Sequence, residues 1–95
     1  MGFVVMTIDG PIARDGIPSL CDRVRSVLRT RPRARVICDV GAIDDPDAVT
    51  VEALARMQLT AMQMGSVIVL RDPCADLARL LDLCGLGAVV PLEPC

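Results

Sequence analysis

Two stretches of this chain obey one grammar, and that repetition limits the folds open to it. "ARVICDV" and "SVIVL" are short, continuous, β-branched runs of the kind buried on both faces of a sheet. Each is followed by an Asp-Pro element, an apolar stripe at helical spacing, and a glycine. In the first unit Val51, Leu54, Ala55, Gln58, Ala61 and Met62 follow the helical repeat, and Gly65 stops it. Asp45 or Asp47 is expected to cap this helix, with Pro46 suited to its first position and the acids favoured by the positive end of the helix dipole. In the second unit Asp72 is the expected cap and Pro73 the first helical residue. Leu77, Leu80, Leu81 and Cys84 form the stripe, and Gly85 is the stop.

The N-terminal third extends the pattern. "FVVMTI" reads as a strand ending at the turn signal "DGP", and "IAR" is expected to continue as a second short strand. Over residues 17–30, Ile17, Leu20, Val24 and Val27/Leu28 lie on one helical stripe. Pro18 is tolerated in the first turn, and Pro32 ends the helix. "AVVPL" is expected to add a final short strand. The order implies right-handed crossovers and one α/β domain over residues 1–95. The expected sheet is mixed and mostly parallel, with about four to five strands packed by three main helices.

Composition removes several classes of function. At 95 residues the chain suits a single core, and 53% hydrophobic content exceeds that of a disordered chain. No apolar run approaches the roughly 20 residues needed to span a bilayer, so no membrane insertion is expected. The opening "MGFVVMTIDG" lacks a basic leader and reads as a strand rather than a secretion signal; a cytoplasmic location is expected. Thr7 is one place beyond the hydroxyl position of a myristoylation signal.

All 10 basic residues are Arg, against 12 acidic residues, for a net charge of −2. Residues 1–36 hold seven Arg and three Asp, and the remainder holds three Arg and nine acids, so one flank is basic and one acidic. With Phe3 the single aromatic there is no base-stacking platform, and no nucleic acid is expected as a partner. The run "RTRPRAR" reads as a solvated helix-to-strand corner rather than a phosphate site.

The five Cys form no CxxC pair and the chain has no His, so neither a structural metal nor a nucleophilic triad in its usual form is expected. An odd thiol count without a leader fits reduced cysteines. Cys38 lies in an apolar run and Cys74 and Cys84 in a helical pattern, which points to core packing. Cys95, at the terminus, is expected to be exposed and open to adventitious disulfides, which makes a homodimer one association to consider. No Gly-rich phosphate loop occurs, and no cofactor is expected.

The succession "ARVICDVGAIDDPDAVTVEALARMQLTAMQMGSVIVLRDPCADLARLLDLCGLGAVVPL" resembles the STAS domain, the fold of anti-sigma-factor antagonists, and "MTIDGPIARDGIPSLCDRVRSVL" suits that family's opening. In the family, a strand ending Asp-Leu leads to Asp-Ser-Ser-Gly, a helix ending at Gly, a strand, and a Leu-rich helix ending Gly-Leu. Asp39, Asp47, Gly65, Leu81, Gly85 and Leu86 fall on matching positions. The departure is at the phosphorylatable serines: Ala48 and Val49 stand there, and neither carries a hydroxyl.

The resemblance implies a cytosolic, non-catalytic interaction module that docks on an anti-sigma factor or serine-kinase-like regulator. The docking residues it implies are Asp44, Asp45, Asp47, Ala48, Val49 and Thr50. Thr50, where the family has Gly, is the loop's only hydroxyl and the one candidate for phosphorylation; a first-turn residue with local hydrogen bonds is the plainer reading. Asp45 and Asp47 are better explained as caps than as cation ligands. Met57, Met62 and Met64, with Leu59, exceed what one stripe buries, so Met57 and its neighbours are expected to offer an adaptable docking face, with tighter core packing as the alternative. Two further functions stay open: a STAS subunit on the ATPase of a lipid-transport ABC complex, and a small ligand-binding domain.

Overall fold

The computed structural model describes residues 2–93. Among them are three strands and three α-helices: β1 (Phe3–Thr7), α1 (Ile17–Thr30), β2 (Arg35–Asp39), α2 (Ala48–Gln63), β3 (Ile68–Arg71) and α3 (Ala75–Leu83), with a 3-10 turn at Arg14–Gly16 leading into α1. The sheet runs β1-β2-β3 and is parallel throughout, with Val4 opposite Val36 and Val36 opposite Ile68. Stepping one way across the sheet by right-handed crossovers puts successive helices on the same face. A single core cluster accordingly joins Met6, Val36, Cys38, Ile68 and Leu70 to Val24 and Leu28 of α1, Leu54 and Met57 of α2, and Leu77 and Leu81 of α3.

The α/β class stands, with a smaller sheet. "IAR" forms no second strand: Ala13 is the N-cap of the 3-10 turn, and Pro11 just before it has no N–H to offer a ladder. "AVVPL" contributes one parallel bridge, Leu70 to Leu92, in which the Leu70 N–H donates to Pro91 O at 2.9 Å and the Glu93 N–H to Leu70 O at 2.7 Å. Arg71 donates through Nε and Nη2 to the two carboxylate oxygens of Glu93, each at 2.8 Å, beside this bridge.

Helix boundaries follow the local chemistry closely. Asp47 is the N-cap of α2, so Pro46 precedes the cap rather than opening the helix. Both glycine stops are made. Gly65 (φ 77) and Gly85 (φ 74) adopt the left-handed conformation, and the amides of Ser66 and Leu86 reach back to Ala61 O (2.9 Å) and Leu81 O (2.8 Å), the paired closure typical of a glycine at this position. At α3 the expectation fails: Asp72, at φ 56, is spent on the turn out of β3, and the helix starts three residues later with Cys74 as an N-cap that makes no side-chain bond.

Burial corrects two side-chain expectations. Met57 is wholly buried between α2 and the sheet, so it belongs to the core and to no exposed docking face; Leu59 (57% exposed) and Met62 (55%) carry the outward apolar surface instead. The helix is apolar on several sides, and the face that the crossover presses onto the sheet is the one carrying residues 50, 54, 57 and 61. Cys84 is exposed at the end of α3 and Cys74 half-buried, whereas Cys38 and Cys21 are in the core. Cys95 lies outside the described residues.

A candidate docking site at the carboxyl edge of the sheet

Parallel strands β1 and β2 deliver their carboxyl ends to one edge, where open α/β sheets concentrate their sites. From β1 the chain leaves through Gly10, Pro11 and the half-buried Ile12. From β2 it turns at once: the Gly41 N–H donates to Asp39 Oδ1 at 3.0 Å, and the Ile43 N–H to Val40 O at 3.0 Å. Ile43 is buried and pins this loop to the core, leaving Asp44 and Asp45 outside. Between the two loops lies an open cleft of about 340 Å³, lined by Gly10–Ile12 on one wall and Ala42–Asp45 on the other, with Asp47 and Thr50 at the helix entrance.

The entrance is closed by reciprocal bonding. The Thr50 N–H donates to Asp47 Oδ1 at 3.0 Å, the Thr50 hydroxyl donates to the same oxygen at 3.2 Å, and the Asp47 N–H donates to Thr50 Oγ1 at 3.3 Å. Two otherwise orphaned amides are thus satisfied from within the motif. The Thr50 amide, helped by its hydroxyl and the Val49 amide, holds the Asp47 carboxyl below the ordinary carboxylate range. Thr50 itself is only 2% exposed. Its hydroxyl is already both donor and acceptor, and a kinase would have to open the first turn to reach it.

The structure brings the loop residues together as one surface. Asp44, Asp45, Asp47 and Ala48 are exposed, Val49 is half-buried against the core, and Thr50 lies beneath them; Met57, about two turns further along α2, is in the interior and is not part of this surface. Among the described residues Asp44 and Asp45 form no salt bridge, so the rim presents uncompensated negative charge. Behind the rim Arg14 pairs with Glu52, and Glu52 with Arg56 at 3.3 Å, tying the 3-10 turn to α2. Among the described residues no three His, Cys, Asp or Glu side chains converge where they would hold a metal ion.

The sequence reading missed Gly10, Pro11 and Ile12 as a wall of the site. A signal for them existed, since "DGP" closes the first strand and any parallel partner of β2 ends at the same edge. It missed Arg14 and Glu52 as well, because nothing local links residues 38 positions apart.

The chain has known relatives at the level of family and fold. A family model described as "Mlab, STAS domain" matches residues 3–92. Among solved structures, the NMR structure of the protein TM1081 superposes with a TM-score of 0.76 at 11% identity, covering 94% of this chain and 71% of that one; at that identity the likeness concerns the fold. No curated protein matches the sequence. With its parallel sheet, one-sided helices, and Asp-capped helix at the carboxyl edge, and with the family model spanning nearly every described residue, the chain belongs to the STAS domain family.

Proposed function

We propose that this STAS domain is a non-catalytic docking module that engages a protein partner through the Asp44–Thr50 loop and the adjoining cleft, without a phosphorylation switch. The observation that carries this reading is the pairing of an exposed acidic rim with a tied-down Thr50, the loop's only hydroxyl. Exposed carboxylates steer and select a basic partner surface. A phosphoryl group on Thr50 would disrupt the two hydrogen bonds its hydroxyl makes with Asp47 and sit among Asp44, Asp45, Asp47 and Glu52, where like charge opposes it. The partner class favoured by the family resemblance is an anti-sigma factor or its kinase domain, bound in a permanently competent form.

A second reading uses the same surface: permanent docking on the ATPase of a lipid-transport ABC complex. Two observations favour it, the lack of a hydroxyl at positions 48 and 49, as suits a constant subunit, and the matched model's description as Mlab.

The deciding experiment is affinity capture of the tagged protein from its own cells beside a variant carrying Asp44→Arg and Asp45→Arg, with mass spectrometry of partners and of the peptide over residues 36–56. Recovery of an anti-sigma factor or kinase by the wild type and its loss from the variant supports the first reading; an ABC ATPase with the same dependence moves the assignment to the second. Partners captured equally by both proteins, or phosphate on Thr50, overturn the proposal.

A further inference from the structure

The two walls of the cleft are built differently. On the α2 side the capping box fixes Asp47 and Thr50, and the helix continues from there without a break. On the other side β1 ends at Thr7, the Ile8 N–H donates to Asp39 O (3.0 Å), and the 3-10 turn begins only at Arg14. Among the described residues no backbone–backbone hydrogen bond is made by residues 9–12. Such a segment opens at little cost, so its position depends on what its flanks are held to. Both flanks are held to the opposite wall. At one end Gly10 rests against Ile43, so closely that a Cβ on it would stand 3.4 Å from Ile43 Cγ1. At the other end Arg14 reaches across to Glu52 of α2, 38 positions away in the chain; among the described residues this is the one side-chain hydrogen bond between residues 9–16 and residues 41–56. Ile12, between the two ties, packs half-buried against the core.

Glu52 is suited to this task by its place. It lies one turn into α2, just past the capping box, so a rigid element carries it. Its side chain is 28% exposed, against 65% for Arg14, and its second carboxylate oxygen is taken by Arg56 Nε at 3.3 Å on the same helix. Glu52 thus offers Arg14 an anchored acceptor. Asp44 and Asp45, on the loop, form no salt bridge among the described residues and keep their charge for the rim.

We propose that Glu52 is a positioning residue of the docking site: through Arg14 it holds the Gly10–Ile12 wall at its distance from α2 and so presets the cleft, without touching the partner itself. A wall held before docking does not have to be ordered by it, and the tie removes that ordering cost from the association. The inference rests on the docking reading given above, and it gives the acids of one surface separate tasks: Asp44 and Asp45 meet the partner, and Glu52 shapes the cleft they border.

The test is partner capture by the tagged full chain from its own cells, run with Glu52→Gln, Arg14→Gln, the two together, and Arg56→Gln, beside the variant carrying Asp44→Arg and Asp45→Arg. On the same proteins without a partner, NMR follows amide exchange of Gly16, whose N–H donates to Ala13 O (2.9 Å) in the turn that carries Arg14. Glu52→Gln and Arg14→Gln are each expected to speed Gly16 exchange about twofold to fivefold and to lower capture by a similar factor, the scale of one exposed ion pair. They alter opposite walls, so misfolding of one leaves the other to decide. The double variant is expected to fall no further than either single one, because both act through one bond. Arg56→Gln removes a cation from the same carboxylate without crossing the cleft, and is expected to leave Gly16 exchange and capture near the wild type. Losses that multiply in the double variant set Glu52 or Arg14 against the partner and overturn the proposal, as does an equal loss with Arg56→Gln or an unchanged Gly16 amide. Capture lost from the Asp variant yet undiminished in Glu52→Gln and Arg14→Gln overturns it and leaves the docking reading standing; capture indifferent to the Asp pair overturns both.

Discussion

The carboxamide of Gln58 brackets the backbone of Ile68: the Ile68 N–H donates to Gln58 Oε1 at 2.7 Å, and Gln58 Nε2 donates to Ile68 O at 3.2 Å and to Val89 O at 2.7 Å. A helix side chain thereby does for β3 what another strand residue would do, and it joins the segment after α3 to the sheet. The geometry predicts that Gln58→Leu, close in size, leaves a buried N–H and two carbonyls without partners. About 1–3 kcal/mol is expected for an unsatisfied buried group, read as a lower urea midpoint with an unchanged slope.

At the helix entrance Thr50 is a structural residue. Thr50→Val keeps the shape and removes the hydroxyl from the capping box, and a loss of about 1 kcal/mol is expected. Thr50→Ser is expected to stay near the wild type, whereas Thr50→Glu, the usual phosphate mimic, is expected to cost more than Thr50→Val because it adds charge in a buried position next to Asp47. Thermal melts of the three variants check the order.

Acid stability follows from two carboxylates. Asp47 is held down by the Thr50 amide and hydroxyl, and Glu93 by the Arg71 guanidinium. A carboxyl whose folded pKa lies below its unfolded value stabilises the fold fully above the unfolded value and loses that contribution as pH falls through the folded one. Stability from these groups is thus expected to hold from neutral pH down to about pH 4, the ordinary carboxylate range, and to decline below it. Glu93→Gln is expected to make the decline shallower. Urea midpoints taken across this interval test it, and an unaltered profile would remove Glu93 from the account.

Thiol reactivity should sort by depth. Burial pushes the Cys38 thiol up to about 12, with the Arg23 charge opposing weakly, so almost no thiolate is present at neutral pH. Cys84 is exposed. Alkylation of the native protein at pH 8 is expected to label Cys84 early and Cys38 only on unfolding, as peptide mass spectrometry will show.

Along α2, neighbouring apolar residues have opposite fates. Met57→Ala is expected to cost about 2–5 kcal/mol, as for other buried large-to-small changes. Leu59→Asp and Met62→Asp are expected to leave the unfolding midpoint nearly unchanged, since both side chains already face outward. Far-UV circular dichroism with urea titration separates the two groups.

What the sequence determined by itself was whatever is written in local chemistry. The β-branched runs, helical stripes, an aspartate cap at 45 or 47 and glycine stops at 65 and 85 each depend on residues within a turn or two of one another, and they set the βα order that right-handed crossovers turn into a parallel sheet. The loop from Asp44 to Thr50 was legible for the same reason, since a strand end followed by a capped helix places it at the carboxyl edge. The tertiary structure alone decided the rest. Which of Met57 and Leu59 is core depends on how an all-round apolar helix is rotated against the sheet, and Gln58 acquires its partners only once β3 and residue 89 arrive beside it. The second wall of the cleft comes from Gly10–Ile12, thirty or more residues before the loop it faces. "IAR" and "AVVPL" had strand composition, yet the first leads into the 3-10 turn and the second meets β3 through one bridge, because a strand exists only where another chain segment completes its hydrogen bonds.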